Sequence, residues 1–237
     1  MRIAEIFRSI QGEGRLTGTE SVFVRVSGCN LRCAYCDTPY GSWMPTGEDL
    51  SVGEIIDRVR QLAPSSSTKQ PKAGYVVVPG GEPMLFSELI PLSARLRDAR
   101  WHVTIETAGT LYLPVVCDLM SISPKLSNST PSPERDANWS RRHEQNRQAP
   151  EVIRRLAAEY DYQMKFVVDC PEDCREVEEY LAAFPEIDRD RAMLMPQGTD
   201  LEELARKAQW LKPYCVEHRL LFCPRRQIEW FGAQPGT

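Results

Sequence analysis

Stretches with the pattern of a β-strand alternate with stretches of helical periodicity along almost the whole chain of 237 residues. Residues 21–28 alternate apolar and polar side chains, and residues 51–63 follow with helical spacing and a Ser51/Glu54 capping box. The same patterns predict further strands at 74–78, 102–106, 118–123, 163–168, 192–195 and 218–222, and further helices at 87–100, 171–184 and 200–211, the last capped by Thr199 and Glu202. Because parallel strands are joined by long crossovers, the alternation predicts an α/β fold with mainly parallel strands.

Several predicted strands are apolar at both odd and even positions, as in GYVVV at 74–78. This pattern is typical of strands that are covered on both faces. It favours a barrel or partial barrel of the TIM type, with a doubly wound open sheet as the alternative. Since such domains commonly run to roughly 200–250 residues, we expect one domain over 1–237.

One segment, residues 126–150, breaks this rhythm because it is polar, rich in proline and longer than an ordinary connection. We expect a surface insertion there, mobile unless a ligand or a partner holds it. Residues 64–72 are interpreted as a polar loop.

The charge and the N-terminal sequence limit the possible partners. A formal net charge of −4 gives no electrostatic reason to expect a nucleic acid. The first fifteen residues carry scattered charges, and the chain has no continuous apolar segment, so we expect neither a signal peptide nor a membrane span. These features predict a cytoplasmic protein, in which cysteines stay reduced and serve as metal ligands, catalytic groups or core residues.

Three of the eight cysteines lie close together in GCNLRCAYCDTPY, at Cys29, Cys33 and Cys36. A closed zinc site nearly always takes four protein ligands and a disulfide takes two, so a local group of three lacks one partner. Three thiolates can hold three irons of a 4Fe-4S cluster and leave the fourth iron open to another ligand. The alternatives are a zinc site completed by a distant Cys or His, and thiols that only pack. The other cysteines form no second compact group, and no histidine, including His143 in the insertion, is assigned a catalytic role.

The spacing C-x3-C-x2-C, with an aromatic residue at Tyr35, resembles the radical S-adenosylmethionine (SAM) superfamily. Within that superfamily, residues 6–40 resemble the 7-carboxy-7-deazaguanine synthase family, and GGEPML, ETAGT, SISPK and PRRQIEWFG extend the similarity over most of the chain. In this family the open iron chelates SAM. The resemblance implies a partial TIM-type barrel of the radical SAM kind.

The resemblance also implies roles for individual residues. It implies that the 4Fe-4S cluster is bound by the three cysteines and Mg²⁺ by Thr38, an oxygen ligand of the kind that suits magnesium. The pterin substrate is assigned to a turn and a strand arginine that can pair with a carboxylate, namely Ile10, Gln11, Gly12, Glu13 and Arg25. SAM is assigned to Tyr35, Asp37, Gly81, Glu82, Ser123, Pro124 and Lys125.

At three positions the sequence departs from the family pattern. The residue before the paired glycines is Pro79 instead of a hydroxyl residue, ETNGT appears as ETAGT with Ala108, and Gln227 stands where the family often has His. A hydroxyl contact at Pro79 and an amide contact at Ala108 are therefore lost.

The resemblance implies that the reduced cluster cleaves SAM to methionine and a 5′-deoxyadenosyl radical. The radical takes hydrogen from 6-carboxy-5,6,7,8-tetrahydropterin, whose ring contracts with loss of ammonia to give 7-carboxy-7-deazaguanine, in 7-deazapurine (queuosine) biosynthesis. It further implies a flavodoxin- or ferredoxin-type electron donor and a homodimer. The alternatives are an activase that installs a glycyl radical in a partner protein, and a non-enzymatic iron–sulfur or zinc module.

Overall fold

The computed structural model describes residues 1–63, 74–234 and 236 of the chain. The predicted polar loop at 64–72 lies outside the described residues. The described strands form one sheet: β1 (Arg2–Ile10), β2 (Glu20–Val26), β3 (Glu48–Asp49), β4 (Gly74–Val78), β5 (Trp101–Thr107), β6 (Leu119–Ile122), β7 (Tyr162–Val168), β8 (Ala192–Pro196) and β9 (Leu221–Phe222).

The described helices connect these strands or follow them: α1 (Val52–Gln61), α2 (Leu89–Asp98), α3 (Pro133–Arg147), α4 (Pro150–Glu159), α5 (Pro171–Ala183), α6 (Leu201–Glu217) and α7 (Arg226–Phe231). Among the described residues no helix is long and apolar enough to cross a membrane.

The strand order distinguishes the two predicted architectures. The sheet runs β3-β1-β2-β4-β5-β6-β7-β8-β9, and every pair from β2 to β9 is parallel, whereas β1 pairs antiparallel with both β2 and β3. A doubly wound sheet reverses its strand order at a switch point. Here the parallel strands follow one another in chain order, and right-handed crossovers in one direction place the helices on one face. The fold is therefore an open, partial barrel with mainly parallel strands.

Alternation along the strands separates an outer core from the interior of the partial barrel. In β7, Met164 and Phe166 belong to the main apolar core, while Lys165 and Val167 line the concave side. In β6, Met120 and Ile122 pack into the same core and Ser121 faces inward. Because successive side chains point to opposite faces, each strand contributes both to stability and to an inner surface that can bind a ligand.

Helix starts follow local hydrogen bonds. The Ser51/Glu54 capping box predicted for α1 is confirmed. The predicted caps of α6 were wrong by one residue, because the Asp200 carboxylate accepts from the backbone N–H of Glu203 at 2.9 Å. A carboxylate at the N-cap position can satisfy one of the free N–H groups of the first turn.

The polar segment at 126–150 is mostly helical. After a short 3-10 turn at Ser127–Ser129, α3 occupies Pro133–Arg147, with a kink at Asp136 (φ −167°, ψ 99°). The Asp136 side chain accepts from the backbone N–H of Trp139 at 2.9 Å, so this residue starts the longer part of the helix. The predicted insertion therefore contains a helix, whose partners are described below.

The turn between β1 and β2 lies near the first residues of β7. The backbone N–H of Arg15 donates to the Gln163 side chain at 2.8 Å, and that of Gly14 to the Cys223 sulfur at 3.2 Å. The turn thereby closes one end of the concave surface and brings residues 11–13 next to the inward side chains of the parallel strands.

Candidate active site

A cavity of about 620 Å³ lies on the concave side, at the C-terminal ends of the parallel strands. This edge is where α/β barrels assemble their active sites. Most of the residues assigned from the sequence line the cavity: Ile10, Gln11, Gly12, Glu13, Arg25, Cys29, Cys33, Tyr35, Cys36, Asp37, Thr38, Gly81, Ser123 and Lys125. The two assigned residues outside this lining are Glu82 and Pro124. The cavity is also lined by the three residues at which the sequence departs from the family pattern, Pro79, Ala108 and Gln227.

The three cysteines of the loop that follows β2 share this cavity. The backbone N–H of Leu31 donates to the sulfur of Cys29 at 3.4 Å, and the Ser42 hydroxyl lies 3.2 Å from the sulfur of Cys36. Burial raises the pKa of Cys29 to about 12 and that of Cys33 to about 11, so these free thiols hold their protons at neutral pH. Binding of iron would displace them.

The donor set fits a 4Fe-4S cluster with one open iron. Among the described residues that line the cavity there is neither a fourth cysteine nor a histidine. No group of three or more His, Cys, Asp or Glu side chains in the described part of the chain is arranged to hold a single metal ion. Three thiols in one cavity suit three irons, and the fourth iron then needs a ligand that the protein does not supply.

The Gly-rich loop after β4 packs against the cysteine loop at backbone distance. A Cβ atom at Gly81 would lie 1.9 Å from the carbonyl oxygen of Gly28, so only glycine fits there. The next N–H, that of Glu82, donates to the same carbonyl at 2.8 Å. The close approach fixes the position of Gly81 at the cavity wall.

Glu82 lies beneath this wall and is fully buried. One carboxylate oxygen accepts from the Thr107 hydroxyl at 2.8 Å and from the backbone N–H of Met84 at 3.1 Å, and the other accepts from the backbone N–H of Ala108 at 2.9 Å. Burial raises the pKa of Glu82. The side chain thus joins the β4 and β5 ends and positions the loop from behind.

The SPK segment after β6 brings a cation into the cavity. The ammonium group of Lys125 donates to the carbonyl and the hydroxyl oxygen of Ser123, each at 2.8 Å. In the cysteine loop, the Tyr35 hydroxyl donates to Asn128 at 3.2 Å, and Asn128 donates to Asp173 at 2.8 Å. Lys125 is thus held within its own segment, whereas Tyr35 is held by the turn that follows that segment.

A buried ionic network centres on Glu13. Its carboxylate is bound by the Lys165 ammonium, by the Gln227 amide and by the Arg225 guanidinium at 3.3 Å. Burial alone raises the pKa of Glu13, but the charges of Lys165 and Arg225 outweigh it and lower that pKa to about 2. The pKa of Lys165 is raised, because Glu13 outweighs the opposing effect of burial. Glu13 is thus an ionised acceptor at every pH of interest.

The Gln227 amide has one unsatisfied atom. Ionised Glu13 can only accept, so the NH₂ group of Gln227 must face it and the oxygen Oε1 points elsewhere. This oxygen is buried and has no hydrogen-bond partner among the described residues. The neighbouring residue must be glycine to leave room for this oxygen, since a Cβ atom at Gly12 would lie 2.3 Å from Oε1. A buried acceptor without a partner is costly, so the contact with Glu13 is made at the expense of this oxygen.

Arg25 reaches the cavity from β2. Its Nε donates to Glu5 at 2.6 Å, and the Tyr40 hydroxyl donates to the same Glu5 oxygen at 2.8 Å. The guanidinium lies 5.6 Å from the centre of the Phe7 ring. Within the described residues its two terminal nitrogens have no hydrogen-bond partner, so Glu5 and Phe7 orient a fork that can still bind a carboxylate.

Arg225, which the sequence interpretation did not single out, joins the two halves of the site. Besides Glu13, it donates to Asp37 of the cysteine loop at 2.5 Å and to the carbonyl of Gly198 at 2.6 Å. The residue is 8% exposed. The only signal in the sequence is its place in PRRQIEWFG, two positions before Gln227. Lys165, on β7, belongs to the same network through its contact with Glu13.

Helix α3 covers the outer side of the cysteine loop. The ring nitrogen Nδ1 of His143 accepts from the backbone N–H of Arg32 at 3.0 Å, and Nε2 lies 2.9 Å from the Ser129 hydroxyl. Asn146 donates to the carbonyl of Asn30 at 2.8 Å. His143 is fully buried, and burial lowers its pKa to about 4, so the ring is neutral. The polar insertion therefore supports the cluster-binding loop.

Comparison with known proteins agrees with this geometry. Residues 23–127 match the model of the radical SAM superfamily. The chain is 42% identical over 236 residues to the 7-carboxy-7-deazaguanine synthase of Rhodopirellula baltica, covering 99% of this chain and 88% of that protein. It is 39% identical to the enzyme of the same name from Halobacterium salinarum, covering 99% and 92%.

A solved structure shares the fold. The crystal structure of QueE from Escherichia coli superposes with a TM-score of 0.68 at 21% identity, covering 95% of this chain and 93% of that one. With relatives this similar over nearly their whole length, the chain belongs to the 7-carboxy-7-deazaguanine synthase family of the radical SAM superfamily.

Proposed function

We propose that the chain converts 6-carboxy-5,6,7,8-tetrahydropterin to 7-carboxy-7-deazaguanine with loss of ammonia, as a step of 7-deazapurine biosynthesis that leads to queuosine in tRNA. The observation that carries the proposal is the cavity itself. The three cysteines, the Gly81 loop, Lys125, and the polar set around Glu13 and Arg25 all face one space in a chain 42% identical to a named synthase.

In this proposal the cluster and SAM bind on one side of the cavity and the substrate binds on the other. Cys29, Cys33 and Cys36 would hold the cluster, and the Gly81 loop and the Ser123 to Lys125 segment would hold SAM beside the open iron. When bound, cluster and SAM supply the radical that abstracts hydrogen from the substrate. The surrounding protein groups position the reactants and limit the access of water, which is the share of catalysis left to the chain.

The opposite side of the cavity suits a carboxypterin. The guanidine-like edge of a pterin carries N–H donors, and the ionised carboxylate of Glu13, which lines the cavity, is an acceptor. The terminal nitrogens of Arg25 offer a bidentate partner for the substrate carboxylate. At Gln227, where the family often has His, the side-chain amide donates to Glu13 and helps to hold this acceptor in place.

Thr38 is our candidate ligand for Mg²⁺. It lines the cavity, and although it precedes the 3-10 turn at Pro39–Gly41, its hydroxyl does not cap that turn. The hydroxyl lies 3.9 Å from the sulfur of Cys36, at the border between the cluster loop and the substrate side. Magnesium prefers oxygen ligands and keeps several waters, so one protein oxygen plus the substrate carboxylate is a sufficient set.

The cluster needs one electron for each cleavage of SAM, and we propose a flavodoxin- or ferredoxin-type protein as its source. A homodimer and a cytoplasmic location remain predictions from the sequence.

An anaerobic assay tests the proposed function. Reconstituted protein is incubated with SAM, dithionite and the carboxypterin, and 7-carboxy-7-deazaguanine and ammonia are measured. Omission of SAM and the Cys33→Ala variant should each abolish product, whereas Cys170→Ala, which removes a cysteine outside the cavity lining, should keep the iron content and the product.

The same assay separates the alternatives. A glycyl-radical activase would cleave SAM without converting the pterin, and an iron–sulfur or zinc module would do neither. The relatives named as synthases favour neither alternative. Failure to form 7-carboxy-7-deazaguanine by protein that holds its cluster and cleaves SAM would contradict the proposal.

A further inference from the structure

Arginine and tryptophan side chains cover the outside of the cysteine loop. We call this surface the arginine face and define it by six residues, Arg32, Trp43, Arg135, Trp139, Arg141 and Arg142. Arg135, Arg141 and Arg142 are exposed, and Arg32 and both tryptophans are partly exposed. The face combines the cysteine loop with α3, the helix that lies outside the predicted strand–helix alternation.

The arginine face is bonded directly to the cluster-binding loop. Arg32 donates to the carbonyl of Cys29 at 2.8 Å, the Trp43 indole donates to the carbonyl of Cys33 at 3.0 Å, and Arg135 donates to the carbonyl of Ala34 at 3.2 Å. A protein bound here would lie as close to the cluster as the outer surface of the loop allows.

Three guanidinium groups of the arginine face stack on its tryptophan rings. Arg32 and Arg142 both stack on Trp139, with guanidinium carbons 4.1 and 4.5 Å from the ring centre, and Arg135 stacks on Trp43 at 3.9 Å. In the part of the chain that the structure describes, none of the four arginines pairs with a carboxylate.

The three acids of α3 have other partners. Glu144 is bound by Arg147 and Thr130, Asp136 accepts from a backbone N–H of its own helix, and Glu134 interacts with the Ser132 side chain. Arg147, on the same helix, pairs with Glu176 as well. The chain as a whole carries a net charge of −4, so an unpaired cluster of four guanidinium groups stands out from its surroundings.

We propose that the arginine face is the docking site of an acidic electron-donor protein. This inference rests on the proposed function, because a donor is needed only if the loop holds the cluster. Arg and Trp are the residue types that dominate protein interfaces, and complementary charge speeds encounter and fixes orientation. On docking, one electron leaves the reduced flavin or iron–sulfur group of the donor and enters the cluster, so the donor is oxidised by one electron.

The test uses the double variant Arg141→Glu/Arg142→Glu, since neither residue bonds to the cysteine loop. The matched control is Arg95→Glu/Arg206→Glu, which reverses two exposed arginines on α2 and α6. The probe is an acidic flavodoxin. Its binding to each protein is measured by calorimetry at low ionic strength, and the rate of SAM cleavage is measured with reduced flavodoxin and, separately, with dithionite.

We expect the double variant to bind flavodoxin at least tenfold more weakly, to lose at least tenfold of the flavodoxin-driven rate, and to keep the dithionite-driven rate. Unchanged binding in the double variant, an equal loss in the control, or equally tight binding of a single-stranded RNA to the wild-type face would overturn the proposal. Absence of dithionite-driven SAM cleavage in the wild type would instead count against the proposed function. The binding measurement would still show whether flavodoxin docks on the arginine face.

Discussion

The guanidinium of Arg225 lies 2.5 Å from the carboxylate of Asp37, although the two residues are 188 positions apart in the chain. The contact ties the C-terminal segment to the cysteine loop. Since Arg225 also binds Glu13, it contacts both the proposed SAM side and the proposed pterin side of the cavity. Its loss should therefore disturb both.

We predict that Arg225→Ala weakens the binding of SAM and of the carboxypterin, each by roughly tenfold or more, because Asp37 and Glu13 lose the partner that orients them, and a hydrogen bond to a charged group contributes about 1.5–3 kcal/mol. Breaking a buried pair also costs about 3–5 kcal/mol of unfolding free energy, so stability should fall as well. Equilibrium binding and urea unfolding measure the two effects. Arg225→Lys, which keeps the charge, should recover more stability than affinity.

The neighbouring Arg226 provides the control. Its side chain is 46% exposed and pairs with Glu229 on the surface, so Arg226→Ala should change neither affinity. If Arg225→Ala bound both ligands as tightly as the wild type does, its bridging role would be wrong.

The sequence predicted the parallel strands and most helices because each carries its own periodic pattern. It missed β1, whose residues are mostly partly exposed and whose alternation is correspondingly weak. The strand owes its place to antiparallel pairing with β2 on one side and β3 on the other. Such pairing depends on distant residues and leaves no local signal.

The same distinction holds within the site. The cysteine spacing and the SPK and GGEP segments are local motifs, and all of them reach the cavity. The network of Glu13, Lys165 and Arg225 joins residues up to 212 positions apart, so only the folded chain shows that they meet. The burial of His143 is likewise a property of how a polar helix packs, which its composition does not reveal.

Arg25→Ala should weaken carboxypterin binding by roughly tenfold or more and leave SAM binding nearly unchanged, since the proposed carboxylate partner belongs to the substrate alone. Arg25→Lys should recover little, because an ammonium group cannot reproduce a bidentate fork. Titrations of each ligand provide the measurement. The matched control is Arg8→Ala on β1, an arginine whose partner Glu20 lies at the surface. Equal carboxypterin affinity in Arg25→Ala and wild type would exclude the clamp.

Acid should destabilise the protein through His143. Its pKa is lowered from 6.5 to about 4 in the folded chain, so the unfolded chain binds the proton more tightly. The contribution to stability is fully present above pH 6.5 and is lost as the pH falls from 6.5 towards 4. Because each unit of pKa shift corresponds to about 1.36 kcal/mol, the unfolding free energy should fall by about 3 kcal/mol over this range.

The unfolding free energy of the cluster-free protein, measured from pH 7.5 to 4, checks this prediction. His143→Gln, which has no titrating ring, should show a shallower decline than the wild type over this range. Parallel curves for wild type and His143→Gln would show that another group controls acid stability.

The final prediction concerns Mg²⁺ and Thr38. If the Thr38 hydroxyl helps to hold an ion that also meets the substrate carboxylate, Mg²⁺ should stimulate product formation by the wild type, because the ion orients the substrate and stabilises charge as its ring rearranges. Thr38→Ala should keep its cluster absorbance and its SAM affinity but lose most of this stimulation, whereas Thr38→Ser, which retains an oxygen at the same place, should keep a large part of it. Titration of Mg²⁺ against the rate of product formation in the three proteins is the measurement. Equal stimulation in wild type and Thr38→Ala would remove Thr38 from the metal site, and no stimulation in any of them would remove the metal from the mechanism.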